Sequence, residues 1–470
     1  MAGFFPSLRT LRISHCTVMS FLRPFFAETR GTLLLAVPIM AGQLNQMLMG
    51  VVDSAMVGRV GVVPLAASAF ANGLLSVPFL FGIGLLQAIS VRVSQAHGAG
   101  DREETGEVLR HGLALTGAAG ILIVAALVAL STQLGRFGQP PEVVQEARNY
   151  FLLMTASMLP MLVAMSLKQF SEALDHPWPP MLILSGSVVL NAGLNWVLIY
   201  GHLGAPAMGL TGAGLATLLA RLAALAAVLV YVLRARRFAG SRPAGWVRPL
   251  HWARVRSLLK IGLPAAAQLL LEVSAFSMAT IMVGWLGAAP LASHQIALTC
   301  ASTSFMFPLG IALATTIRIG QAIGAKELAR VRAIGLTSLG LGVLVMGAAG
   351  LVFAFGNEAL ARAFVDDSAV ASMAARLLII AAVFQIFDGL QVIGAGALRG
   401  LSDTTVPLVV CLVAYWVVFL PLAYLAAFHF GFGITGIWSW LVVALGIVAG
   451  SLFVRFLVKS APARCAAIRH

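Results

Sequence analysis

The sequence predicts an all-α integral membrane protein, with twelve transmembrane helices in two six-helix lobes. Three observations predict it: too few charges for a water-facing surface, a succession of apolar runs long enough to cross a bilayer, and an internal repeat. Of the 470 residues, 60% are hydrophobic and 10% are charged, with a mean hydropathy of +0.94. A soluble domain carries about 25% charged residues. A hydrocarbon core ~30 Å thick needs ~20 apolar residues per helix.

Such runs occupy residues 32–57, 65–92, 108–132, 147–170, 180–201, 209–233, 258–284, 291–317, 334–355, 370–397, 405–428 and 434–458. The tightest breaks are Gly58–Pro64 and Gly284–Pro290. The opening stretch MAGFFPSLRTLRISHC has no long apolar run of the kind a cleavable leader needs. FLRPFFAETR reads as a short amphipathic helix on the membrane surface.

Charge fixes the expected orientation. Residues 234–256, RARRFAGSRPAGWVRPLHWARVR, carry seven arginines and no acid, whereas 357–367, NEALARAFVDD, balance or reverse that charge. Lys/Arg excess marks cytoplasmic loops. Both termini and the central loop are therefore expected inside, in a multi-pass plasma (inner) membrane protein with an even number of spans per half. The net charge of +14 lies in short loops and tails, which makes anionic lipid, and not nucleic acid, the expected partner. The expected division is an interfacial segment 1–30, a lobe 31–233, a basic linker 234–256, a second lobe 257–458 and a tail 459–470.

The halves repeat. An offset of 226 carries Pro38 to Pro264, Met56 to Met282, Gly58 to Gly284, Gly61 to Gly287, Pro64 to Pro290, Gly84 to Gly310, Arg92 to Arg318, Gln95 to Gln321 and Gly98 to Gly324. Later the offset is 227: Pro180 to Pro407, Gly204 to Gly431 and Gly209 to Gly436. Six spans per half give both halves one orientation. A pseudo-twofold axis along the membrane normal then relates them, with a path between the lobes. That plan suits alternating access and not a static pore.

A carboxylate at mid-span costs about 2.5–3.5 kcal/mol on insertion scales, so it faces a cavity or a partner. Asp53, Glu272 and Asp388 are the acids well inside the runs, joined by Asn191 and Asn195 on one helical face. Their repeat counterparts are Ala279, Gln46, Met161, Val418 and Leu422. The scaffold is duplicated and the costly polar groups are not. The plainer alternatives are an amide bridge between helices for the asparagines and a surface ion pair with Arg59 for Asp53. Gly394 and Gly400 read as helix-packing sites, and GAGD (98–101) and GAKE (324–327) as helix C-caps. His97 and His294 are isolated, and Cys16, Cys300, Cys411 and Cys465 form no CxxC pair. No cofactor and no metal site beyond sodium is expected. The methionines and phenylalanines of the spans read mostly as packing, although Met also lines promiscuous surfaces.

The stretches VPIMAGQLNQMLMGVVDSAMVGRVG, LNAGLNWVLIYG, LEVSAFSMATIMVGWLG, SHQIALT and FQIFDGLQVIGAGALRGLSDT resemble multidrug and toxic compound extrusion (MATE) transporters of the NorM-like branch. The resemblance runs from about residue 30 to 458. It implies a monomeric multidrug efflux antiporter that exports amphipathic, often cationic compounds in exchange for inward sodium ions or protons. By motif position it implies an acidic pair, Glu272 and Asp388, with Gln295 facing the substrate cavity, and a cation site at Asp53, Asn191 and Asn195. Where the branch often has a tyrosine beside the span 10 aspartate, this chain has Phe384, so a hydroxyl ligand is missing from that cavity. A lipid-linked sugar flippase of the same superfamily is the alternative; it would need a basic cavity. A membrane enzyme would need clustered nucleophiles, histidines or metal ligands, and none is seen. A structural or channel-forming protein fits poorly with acids confined to one copy of the repeat.

Overall fold

The computed structural model describes residues 11–461 except 244 and 247, with side chains described from residue 27 onward. The leader reading of residues 1–10, Cys465 and the end of the tail lie outside the described residues. Among the described residues, twelve helices are long and apolar enough to cross a membrane. Spans 1 to 6 are Ala27–Gly58, Val62–Gly98, Arg102–Ser131, Pro141–Ala173, Trp178–Tyr200 and Gly209–Arg234. Spans 7 to 12 are Trp252–Gly284, Ala288–Gly324, Leu328–Phe355, Ser368–Gly400, Thr405–His429 and Gly433–Lys459.

Most helices overrun their apolar cores, and two of them start on a side-chain cap. Asp101 caps span 3 by accepting from the Glu104 amide at 2.9 Å, and Asp367 caps span 10 through the amides of Ala369 and Val370. The basic stretch is a shorter loop than expected, since Trp252 already opens span 7. Residues 21–30 do not form a separate surface helix; they are continuous with span 1 in the helix Leu11–Gly58. Span 11 departs from regular α geometry in two π-helical stretches, Leu412–Phe419 and Leu425–His429. π-bulges often mark functional positions.

The lobes meet around the predicted twofold axis. Span 2 packs on spans 7 and 8, and span 1 packs on spans 8 and 9. Ser94 and Gly320, which are repeat counterparts, face each other: a Cβ on Gly320 would lie 2.0 Å from Ser94 Oγ. A Cβ on Gly98 would lie 2.1 Å from the Gln321 carbonyl, and one on Gly324 2.0 Å from the Gln95 carbonyl. Any larger residue at either glycine forces the lobes apart.

The adjoining hydrogen bonds repeat the symmetry. Gln95 Nε2 donates across the interface to Gly400 O at 3.1 Å and Ser402 Oγ at 3.0 Å. Gln321 Nε2 donates to Ala173 O at 3.1 Å and Asp175 Oδ1 at 3.0 Å. Asp175 and Ser402 both hold left-handed backbone, with φ of 64° and 58°. That conformation is unfavourable for a residue with a Cβ, and it turns both loops toward the glutamine of the opposite lobe. Burial tends to raise the Asp175 carboxyl, but hydrogen bonds with His97 and Gln321 prevail and hold it below its ordinary range.

One part of this closure is not symmetric. Arg318 of span 8 donates to the carboxylate of Glu28, at the start of span 1, and to Thr32 Oγ1. Arg330 Nε binds the other Glu28 oxygen at 2.6 Å. The counterpart of Arg318 is Arg92, but the counterpart of Glu28 is Arg254, which pairs with Glu104 at 2.6 Å. Arg92 is left with Gln95 Oε1 at 3.3 Å and a buried Nε without a partner. These contacts lie on the side of the central linker, which is itself held to span 3: Arg110 donates to Pro249 O, and His111 Nε2 accepts from the His251 amide at 2.9 Å.

Candidate functional site

Each lobe places polar side chains in an apolar surround. In the C-terminal lobe, Glu272 projects from span 7, and its Oε1 accepts from Gln391 Nε2 of span 10 at 2.8 Å. Gln391 Oε1 in turn accepts from the hydroxyl of Tyr415 at 2.5 Å. Tyr415 is fully buried and belongs to the first π-helical stretch of span 11. Asp388 lies one turn before Gln391, 4% exposed and within electrostatic reach of Glu272. It makes no side-chain hydrogen bond among the described residues. The structure thus brings the two expected acids together and leaves one of them free to accept a cation.

Position 384 carries no hydroxyl. Phe384 is buried and packs against Phe276 and Trp438, with ring centroids 6.3 and 5.9 Å away. The phenol of Tyr415 comes from the neighbouring span and joins the chain that ends on Glu272. Gln295 is exposed on span 8 and has no side-chain hydrogen bond among the described residues. Its neighbour His294 is structural. Trp438 Nε1 donates to His294 Nδ1 at 3.1 Å, so the neutral ring carries its proton on Nε2, which faces Thr280 Oγ1 at 3.0 Å.

In the N-terminal lobe a cavity of about 250 Å³ is lined by Asp53, Asn45, Gln46, Asn72, Tyr150 and Arg221, with several methionines. Asn195 Nδ2 donates to Asp53 Oδ1 at 2.6 Å and to Asn191 Oδ1 at 3.2 Å. Asn191 Nδ2 donates to Thr217 Oγ1 at 3.2 Å. The ion pair considered for Asp53 and Arg59 does not form; the carboxylate faces inward to Asn195. Asn195 Oδ1 is buried without a partner. A carboxylate beside an unused amide oxygen is a donor set that suits a small hard cation.

Beyond the three acids expected well inside the spans, other carboxylates are buried toward helix ends. Glu107 and Glu172 are also buried in helices, and each is ion-paired: Glu107 with Arg110 at 2.7 Å, Glu172 with Lys168 at 2.9 Å. Glu107 and Glu172 fall just outside the expected runs 108–132 and 147–170, and the helices Arg102–Ser131 and Pro141–Ala173 include them. Sequence reasoning also missed Gln391, Tyr415 and Arg221. Gln391 carried one usable signal, its place on the same helical face as Asp388.

Twelve helices in two repeated lobes, with unlike polar residues at counterpart positions, form the frame of a multi-pass membrane protein. The MatE family model matches the chain twice, at residues 38–197 and 264–425. The protein belongs to that family. Those starting points, Pro38 and Pro264, are the 226-residue repeat read from the sequence. The chain is 38% identical to a Bradyrhizobium diazoefficiens protein named "Probable multidrug resistance protein NorM", over 90% of this chain and 92% of that one. A relative of the same name from Xylella fastidiosa is 33% identical over 96% of each chain. Among solved structures, a eukaryotic MATE transporter matches with TM-score 0.86 at 21% identity, covering 95% of this chain and 99% of its own. A Vibrio cholerae MATE transporter matches with TM-score 0.85 at 22% identity, covering 93% and 98%.

Proposed function

We propose that this protein is a multidrug efflux antiporter of the plasma (inner) membrane. It exports small organic cations and other amphipathic compounds, as a monomer, in exchange for inward sodium ions or protons. Both termini and the linker are on the cytoplasmic side in this reading, which makes the glutamine–glycine closure a cytoplasmic gate. The observation that carries it is the placement of the buried Asp388, which makes no side-chain hydrogen bond among the described residues, one turn from Gln391, the partner of the half-buried Glu272. A cationic substrate or a coupling ion neutralises that site, and both cannot do so together. The names borne by the relatives support the substrate class.

The energetic scale is adequate. Inward flow of one elementary charge releases about 2.3 kcal/mol per 100 mV, and about 5.5 kcal/mol swings a two-state equilibrium almost completely. Export from proteoliposomes, under sodium and pH gradients imposed separately, tests the reading. It predicts export under at least one inward ion gradient and none without a gradient. Equal export in the absence of any gradient contradicts it.

A further inference from the structure

The cation-exporter reading gives no task to Arg221. This residue stands in the middle of span 6 and lines the N-terminal cavity together with Asp53. Its Nη1 donates to Ser157 Oγ at 2.7 Å, its Nε is buried without a partner, and it forms no ion pair among the described residues. A guanidinium carries five N–H donors and is never neutral in a protein. A charge of this kind is rare inside a span unless it has a task there.

Packing does not explain it. The repeat counterpart of Arg221 is Val448, which is fully buried in the C-terminal core. The scaffold therefore closes at this position with an aliphatic side chain. Ser157 does not need the guanidinium either, because its hydroxyl already donates to Met154 O at 2.7 Å. Asp53 has its own partner in Asn195. The cavity thus holds one acidic and one basic group without a salt bridge between them. Met49, Met154, Met161 and Phe79 form its apolar wall.

We propose that Arg221 is an anion subsite, which takes the carboxylate of an amphipathic substrate whose amine lies toward Asp53. Arg is well suited to this by its planar fork, which binds a carboxylate through two parallel N–H bonds. A plain cation meets repulsion from Arg221 in this cavity, and a plain anion meets repulsion from Asp53. A zwitterion satisfies both groups at once, while the methionines adapt to its apolar body. The C-terminal site contains the acids Glu272 and Asp388 and suits plain cations. The two lobes then divide the substrates by charge pattern.

The inference rests on the N-terminal cavity lying on the substrate path of the proposed exporter. Binding is read instead of export, so a failure of ion coupling does not touch the result. The test uses the full chain in phosphatidylcholine nanodiscs and three probes: an arylpiperazine carboxylic acid, its methyl ester, and the N-acetylated monoanion. Arg221→Leu should weaken the zwitterion by roughly ten- to a hundredfold, the scale of charge-assisted hydrogen bonds, and leave the ester within about threefold. Arg221→Lys should fall between the wild type and Arg221→Leu, because it keeps the charge but loses the bidentate fork. Asp53→Asn should tighten the N-acetylated monoanion, because Arg221 is then the one uncompensated charge. Equal losses for acid and ester in Arg221→Leu would overturn the subsite, as would an unchanged affinity for the acid. If the leucine variant fails to fold, the monoanion response of Asp53→Asn decides, and no change there overturns the proposal.

Discussion

The two lobes build a site at the same place and fill it with different chemistry. Glu272, Asp388, Gln391 and Tyr415 form the C-terminal chain; their repeat counterparts are Gln46, Met161, Ala164 and Val188. All four counterparts line the N-terminal cavity. The charges of that cavity come from other positions, Asp53 and Arg221, whose own counterparts are the buried Ala279 and Val448. At the linker-side closure the opposite holds, since glycines, glutamines and left-handed loop residues match pairwise. Positions that set how closely the lobes approach admit little change, because a single Cβ there meets backbone. Positions that face a cavity touch no backbone across the interface and are free to differ.

If that division is correct, the largest loss comes from the C-terminal site. Glu272→Gln keeps a hydrogen-bonding group beside Gln391 but removes the charge. Ion-driven export should fall to background at normal expression, whereas a packing role would survive the change. The next effect tests the asymmetric part of the closure. Arg318→Met leaves the Glu28 carboxylate with Arg330 alone, at a cost of about 1.5–3 kcal/mol, and shifts the population toward linker-side opening by roughly ten- to a hundredfold. Arg92→Met removes a guanidinium with no carboxylate partner and should shift it little. Distances between spin labels on spans 2 and 8 measure both variants, and equal shifts would show that the Glu28 contact carries no special weight.

Smaller still is the effect of Tyr415→Phe. It removes one donated hydrogen bond worth about 0.5–1.5 kcal/mol, and should lower substrate affinity three- to tenfold without unfolding the lobe. The least perturbing test concerns topology. A cysteine at the exposed Gly240, in a background without native cysteines, should leave export unchanged and react with an impermeant thiol reagent only in inside-out vesicles. Labelling of intact cells would place the linker outside and reverse the two faces.

Much of this architecture is legible in the sequence for a simple reason. Membrane spans announce themselves by length and apolarity, and a fixed offset survives wherever backbone contact forbids change, as at Gly98 and Gly324. Asp53, Glu272 and Asp388 are legible because an acid in an apolar run is costly. The remainder carries weaker signals. Gln391 and Tyr415 are neutral and blend with the ordinary polar content of a helix. Glu172 and Lys168 cancel each other and fall at the edge of their run. Arg221 is the one cation in the interior of span 6, whose other arginine, Arg234, stands at its end, and a search for acids passes over it. The inward turn of Asp53, away from Arg59 and toward Asn195, depends on how spans 1 and 5 pack, which the linear pattern does not contain.

The central claim is that substrate and coupling ion compete for one buried acidic site in the C-terminal lobe. Equilibrium binding of a fluorescent organic cation to the wild type and to Asp388→Asn, with and without sodium at two pH values, tests it most directly. The account predicts that sodium or acid displaces the dye from the wild type, and that the variant binds the dye weakly and without antagonism by either ion. Normal binding in the variant, with displacement by the ion intact, would contradict it and assign the coupling to Asp53 with Asn191 and Asn195.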